Sequence, residues 1–344
     1  MSALALRRGT VSSVEAAGPA TRLTVDVGGE QRPAIAYERL TGPVAAGDDV
    51  VVNVAGRDLG LGSGGFDIVH VNLTRGLDGT GAEGAHVMKL NYSSLQHAVH
   101  PVEERTGDAG DQVLLGLPLQ KPVAVISLHG QLPCVAWAAA QARPGIKVGF
   151  VQTAGGALPG SLSDVVRDLI ERELLCGHVT AAPAFDGEHE AISAPGGIHA
   201  GLTELGWDAC IAGPGPGILG SATALGHGGL AGLDTAHAAL SLGCRTIVVP
   251  RMSSGDARPR HQGLSHHTAT VLELLLRPAL VAVPAGALVS LPGEHEARAA
   301  EVDLEGYAES QLPARTMGRS IEEDELFFRA ALAGGVVLVE ESGL

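Results

Sequence analysis

Lys121-Pro-Val-Ala-Val-Ile-Ser-Leu-His-Gly-Gln-Leu-Pro-Cys-Val-Ala-Trp-Ala-Ala-Ala-Gln-Ala-Arg-Pro-Gly-Ile-Lys-Val-Gly-Phe-Val-Gln152 decides the fold. Residues 123–128 are apolar except for Ser127, and residues 147–152 open a second run of the same kind. Between them residues 133–142 are rich in alanine and predict a helix that stops before Pro144-Gly145. An apolar run without alternation is a strand buried on both faces. A helix joining two such strands is a crossover between parallel neighbours. The rhythm continues, with strands expected at 179–182, 209–212, 246–250 and 280–283. Helices are expected at 161–175, 197–205, 229–242 and 266–276. The class is therefore α/β, with a doubly wound, mostly parallel sheet over residues 121–290.

Upstream the pattern is different. Residues 1–75 hold short, β-branched, often alternating runs at 8–15, 21–27, 32–37, 49–54 and 66–72, with turns at Gly28-Gly29 and Gly47-Asp48. Five such strands predict a small N-terminal β-barrel of the OB or SH3-like kind, an accessory or assembly domain that could join copies into a homo-oligomer. Residues 76–120 read as a connector around one polar segment. Residues 291–344 read as a helical C-terminal extension. There Ser320 is the expected N-cap of a helix over 321–333, Glu323 completes a capping box, and Gly334 is the expected stop.

The 344 residues fit about two domains and carry a formal net charge of −15. A phosphate backbone is repelled by that charge, and no basic stretch with interleaved aromatics offsets it, so nucleic acid is not an expected partner. Cys134, Cys176, Cys210 and Cys244 are far apart and read as reduced, buried thiols. No run of 18 apolar residues and no signal-like N-terminus is present, so the expectation is a cytoplasmic protein without a membrane partner.

The positive charge is local. Arg251-Met-Ser-Ser-Gly-Asp-Ala-Arg-Pro-Arg-His-Gln-Gly-Leu-Ser-His-His-Thr268 packs Arg251, Arg258, Arg260, Asp256, His261, His266 and His267, with Ser253 and Ser265, between a strand and a helix. Ligands of doubly wound sheets sit outside the carboxyl ends of the strands, where this loop emerges. His129 and Gln131 follow the first strand. Residues 153–160 form a glycine-rich loop, and Gly215 and Gly217 lie in a GxGxxG-like turn. Pro214 and Pro216 remove amides that a pyrophosphate would use, which argues against a dinucleotide.

Arginines can grip a carboxylate or phosphate through paired donors. The histidines suit proton transfer, metal ligation or a structural role. Their spacing matches no standard zinc motif, and adjacent helical residues point about 100° apart, which counts against His266 and His267 sharing an ion. The connector segment adds His86 and Tyr92. If residues 86–92 are extended, these two share a face that Lys89 leaves.

Three segments, Met88-Lys-Leu-Asn-Tyr-Ser-Ser-Leu-Gln96, Arg260-His-Gln-Gly-Leu-Ser-His-His-Thr268 and Thr316-Met-Gly-Arg-Ser-Ile-Glu-Glu-Asp324, are distinctive. They resemble the MKLxYxxLQ, RHxGLSHHT and TMGRxxEED segments of a bacterial protein family of unknown function. The resemblance spans nearly the whole chain. Asn91 stands where those relatives carry a basic residue. No activity or cofactor comes with the resemblance, but it implies that the three polar segments belong to one architecture.

The residues themselves point to an enzyme acting on a small anionic metabolite by hydrolysis or group transfer at the carboxyl edge of the sheet. The expected catalytic groups are His261, His266, His267, Asp256 and His86. Arg251, Arg258, Arg260, Ser253, Ser265, His129, Gln131, Tyr92, Gly215 and Gly217 are the expected ligand contacts. The competing expectation is a non-catalytic ligand-binding or assembly protein.

Overall fold

A computed structural model describes residues 3–61, 64–104, 116–221 and 223–343. The chain divides into two compact units, Met1–His100 and Pro101–Leu344. Part of the expected connector, residues 105–115, lies outside the described residues.

In the first unit β1 (Leu6–Ala16), β2 (Ala20–Val27), β3 (Glu30–Tyr37), β4 (Asp49–Asn53) and β5 (Asp67–Asn72) close into a barrel. β1 pairs antiparallel with β2 and β4, and β5 closes the ring by pairing in parallel with β3. Alternation explains the core: Leu23 and Val25 of β2 point inward, as do Val50 and Val52 of β4. The expected strands all form. In the same unit β6 (Val87–Lys89) and β7 (His97–Val99) make a short antiparallel ribbon.

The second unit is built on β8 (Pro122–Ile126), β9 (Val148–Thr153), β10 (His178–Ala181), β11 (His189–Ala191), β12 (Ala209–Pro214) and β13 (Arg245–Val249). A small hairpin, β14 (Met252–Ser253) with β15 (Gly263–Leu264), follows β13. Then come β16 (Leu280–Pro284), β17 (Glu296–Ala300) and a second hairpin, β18 (Arg315–Thr316) with β19 (Arg319–Ser320). The main sheet has the order β11-β10-β9-β12-β8-β13-β16-β17, and its neighbours pair in parallel.

Successive residues of its strands serve opposite layers. Ala124 and Ile126 pack with the helices Leu132–Ala142 and Glu325–Glu340. Val123 and Val125 pack with the helices Ala194–Leu202 and Ala231–Ser241. Helices on both faces make the sheet doubly wound, as expected from its unbroken apolar strands.

Three local expectations are corrected. The C-terminal helix is Glu325–Glu340, beginning after Asp324 and running through Gly334. Ser320 and Glu323 do exchange the capping-box bonds, at 2.7 and 3.4 Å, but these close a turn ahead of the helix. Gly334 and Gly335 are there for proximity: a Cβ on Gly335 would come within 2.3 Å of the Val135 carbonyl oxygen of the facing helix. Glycine lets the two helices touch backbone to backbone, so it does not stop this one. Secondly, the helix expected over 161–175 is Asp164–Glu171, with Ser163 as its cap, accepting from Val166 N at 3.2 Å. Lastly, Cys134, Cys210 and Cys244 are buried free thiols, whereas Cys176 is exposed. Among the described residues no helix is long and apolar enough to cross a membrane.

Candidate functional site

β12, β8 and β13 lie side by side at the centre of the sheet. The loops that leave their carboxyl ends border a cleft of about 630 Å³. Leu128, His129 and Gly130 line it from the β8 loop, and residues 216–221 from the β12 loop. The β13 loop supplies Arg251, Arg258, Arg260, His261 and His267, and the β18 hairpin supplies Arg315, Thr316 and Met317. Among the described residues four arginines and no carboxylate line this cleft.

Arg251 is buried and held at every end. Its backbone N–H donates to Thr268 Oγ1 at 2.8 Å, and its carbonyl accepts from Ser265 N at 2.9 Å. Its guanidinium donates to Asp256 Oδ2 and to His267 Nδ1, each at 3.2 Å, while Nε is buried with no hydrogen-bond partner. Burial lowers the Arg251 pKa to about 10, against the opposing pull of Asp256. Asp256 sits just behind the cleft. It accepts a two-pronged bond from Arg258, at 2.9 and 2.7 Å, which holds its carboxyl far below the usual range. Arg319 approaches the same carboxylate at 3.6 Å. Arg260 makes no ion pair among the described residues.

The imidazoles are neutral for a common reason. Burial, reinforced by nearby arginines, lowers His261 to about 4. Burial and the neighbouring His227 lower His267 to about 2. Burial, against the opposing bond to the Pro214 carbonyl, takes His129 to about 4. His129 Nδ1–H donates to the Pro214 carbonyl at 3.3 Å, so Nε2 is the acceptor for the Ser163 hydroxyl at 2.7 Å. His261 Nδ1 is bonded to Ser265 Oγ at 2.7 Å, leaving Nε2 as its remaining ring nitrogen. Ser265 is also the N-cap of the helix His266–Leu274.

Several expected ligand contacts are structural. Gln131 is fully buried: its carbonyl accepts from Ser127 N and Leu128 N, and its amide donates to the carbonyls of Val249 and Pro250. It ties the end of β8 to the end of β13. Ser253 donates to Asp324 and accepts from Asp256 N. Asp256 is a counter-ion behind the wall. Gly217 lines the cleft, but Gly215 lies against the Ala157 carbonyl. The loop 153–160 turns its groups inward, with Ala157 N on the Pro216 carbonyl at 2.7 Å, and takes no part in the lining. After Gly220 the chain runs on through His227 before the next α-helix, Ala231–Ser241, so the dinucleotide turn-to-helix geometry is absent.

His86 and Tyr92 belong to the first unit. There β6 ends at Lys89, Leu90 and Tyr92 take left-handed φ values of 48° and 58°, and the expected shared face does not form. Lys89 is buried, and Tyr92 is almost wholly exposed.

Contrary to the helical-wheel expectation, the rings of His266 and His267 are only 4.4 Å apart. They open the helix, where no preceding turn restricts their rotamers. Sequence reasoning missed their neighbour His227, whose ring stacks on His267 at 3.7 Å. It also missed Arg315 and Met317 in the lining and Asp324 behind it. The signal for His227 was faint: one histidine among glycines ahead of a helix.

A family model described as "Protein of unknown function (DUF3866)" matches residues 33–335. No curated protein matches the chain. Among solved structures, the crystal structure of YjeQ from Thermotoga maritima is similar at 14% identity, over 61% of this chain and 60% of that one. The chain thus spans less than two thirds of that protein's length, and the TM-score is 0.15.

Proposed function

For a chain that belongs to the DUF3866 family of unknown function, we propose an enzyme that acts on a small anionic metabolite at the carboxyl edge of its parallel sheet. One observation carries the reading: a cleft lined by Arg251, Arg258, Arg260 and Arg315, with no carboxylate among the described residues that line it, in a chain of net charge −15. Asp256 offsets part of that charge from behind and Glu323 lies 3.9 Å from Arg315, so the cationic excess lies foremost with Arg260 at the exposed side. Guanidinium groups in such a wall hold carboxylate or phosphate oxygens.

His261 supplies the chemistry in this proposal. A neutral imidazole beside an arginine-held ligand can take a proton from a nucleophile, as hydrolysis or group transfer requires. Hydride transfer is disfavoured by the missing helix after Gly220.

The test has two stages. Orthophosphate, pyrophosphate and citrate are screened for a rise in melting temperature against chloride of equal ionic strength. A ligand at 100 times its Kd stabilises by about 2.7 kcal/mol. Anionic metabolite mixtures are then incubated with wild type and His261→Ala, and consumption is followed by mass spectrometry. Absence of any anion-specific shift sinks the proposal. Shifts without consumption would leave the non-catalytic binding protein.

A further inference from the structure

His227 reaches the start of the helix His266–Leu274 from a loop on the other side of β13. Its ring stacks on His267 with planes 11° apart, and its centroid lies 5.6 Å from that of His266. One nitrogen from each of His227, His266 and His267 lies within 4.8 Å of the other two. Among the described residues Nε2 of His266 is buried with no hydrogen-bond partner, and the nitrogens of His227 are buried with only a weak approach to the Ala224 backbone. Buried polar atoms left unpaired cost free energy, and their clustering beside His267 calls for a ligand. Neutral imidazole is the commonest protein ligand for metals.

We propose that His227, His266 and His267 bind a divalent transition metal ion, with zinc the ion best suited to three imidazoles and one open position. Zinc–nitrogen bonds near 2.1 Å put tetrahedral ligands about 3.4 Å apart, and imidazole lone pairs lie in the ring plane. The stacked His227 and His267 rings therefore tilt out of parallel and close inward on binding. The site does not rest on the anion reading, since neither His227 nor His266 lines the cleft.

A neutral imidazole has one lone pair, and in His267 the guanidinium of Arg251 occupies it at Nδ1. An ion at either ring nitrogen therefore displaces that bond. Arg251 and the metal compete for His267, and the guanidinium also repels the ion. Removing Arg251 should tighten binding, the reverse of what loss of a structural residue does.

The experiment titrates chelator-stripped full-length protein with zinc by calorimetry and with cobalt(II) by visible absorption. Wild type should bind one equivalent and show tetrahedral cobalt bands. His227→Gln and His266→Gln should lose at least about 100-fold in affinity, beyond the 10- to 100-fold typical of outer-shell changes. Arg251→Met should gain about tenfold. Circular dichroism checks folding, and His227→Gln gives up only a weak approach to the Ala224 backbone. Folded wild type binding less than half an equivalent overturns the proposal, as do glutamine variants that bind like wild type. Unchanged affinity in Arg251→Met removes His267 from the ligand set and overturns it too. A phosphate-induced melting shift that persists in zinc-free protein keeps the anion reading separate from this one.

Discussion

The hydroxyl of Ser253 donates to the carboxylate of Asp324, with its Oγ 2.9 and 2.8 Å from the two oxygens, joining residues 71 apart in the chain. The same carboxylate accepts Ser254 N at 2.8 Å, Gly255 N at 3.2 Å and Arg319 Nε at 2.9 Å. Asp324 is fully buried at the head of the C-terminal helix, so the arginine-rich loop is anchored from the far end of the sequence. Asp324→Ala leaves four donors without their acceptor. It should destabilise by about 3–5 kcal/mol in urea unfolding. A loss under 1 kcal/mol would show that the loop holds itself.

Arg258 and Arg260 should behave differently although they are two residues apart. Arg258 is clamped on Asp256, while Arg260 lines the cleft without an ion pair among the described residues. Arg260→Ala with Arg315→Ala should abolish the phosphate-induced melting shift and leave the phosphate-free melting temperature within a few degrees. Arg258→Ala should lower that melting temperature. Equal behaviour of the two sets in both measurements would contradict the division of roles.

Acid should weaken the fold through His129. Its pKa is lowered from 6.5 to about 4 by burial. Below pH 6.5 the unfolded chain binds a proton that the folded protein refuses, so stability falls as pH drops through the window from 6.5 to about 4. At 1.36 kcal/mol per unit the full effect is about 3 kcal/mol. His261, also near 4, adds to the same window. His129→Asn should be less stable at pH 7 and show a shallower decline with acid. A decline as steep as that of wild type would rule His129 out as a contributor.

Trp207 needs the glycine beside it. A Cβ on Gly149 would lie 2.2 Å from its ring carbons. Gly149→Ala should cost about 3 kcal/mol through overpacking in a site that cannot relax. Combining it with Trp207→Leu should give a smaller total loss than the two single changes summed, because the clash is gone. Additive losses would place the strain elsewhere.

The main sheet was legible because burial on both faces writes itself into local sequence. The apolar residues at 123–126, 209–212 and 246–249 can be placed only inside. The edge strand β17 escaped for the complementary reason: Glu296, Ala297, Arg298 and Ala299 are exposed, so no apolar pattern marks it, while β11 is only the three residues His189–Ala191, too short to show a pattern. At the site, local reading placed Arg251, Arg258, Arg260 and His261 in a loop at the strand ends, because strand polarity alone fixes which loops gather there. It took Gln131 and Ser253 for ligand contacts, since an amide or hydroxyl in a loop reads the same whether it meets a ligand or a backbone carbonyl.

By itself, then, the sequence determined the elements, the class of fold and the edge of the sheet where polar loops collect. Hydrophobic periodicity is a short-range property that each segment carries alone. Only the tertiary structure decided that Asp324 anchors the loop, that Asp256 binds three arginines, and that His227 joins His266 and His267. A lone pair or a carboxylate accepts any suitable partner, and which one it meets depends on chain crossings that no local pattern encodes.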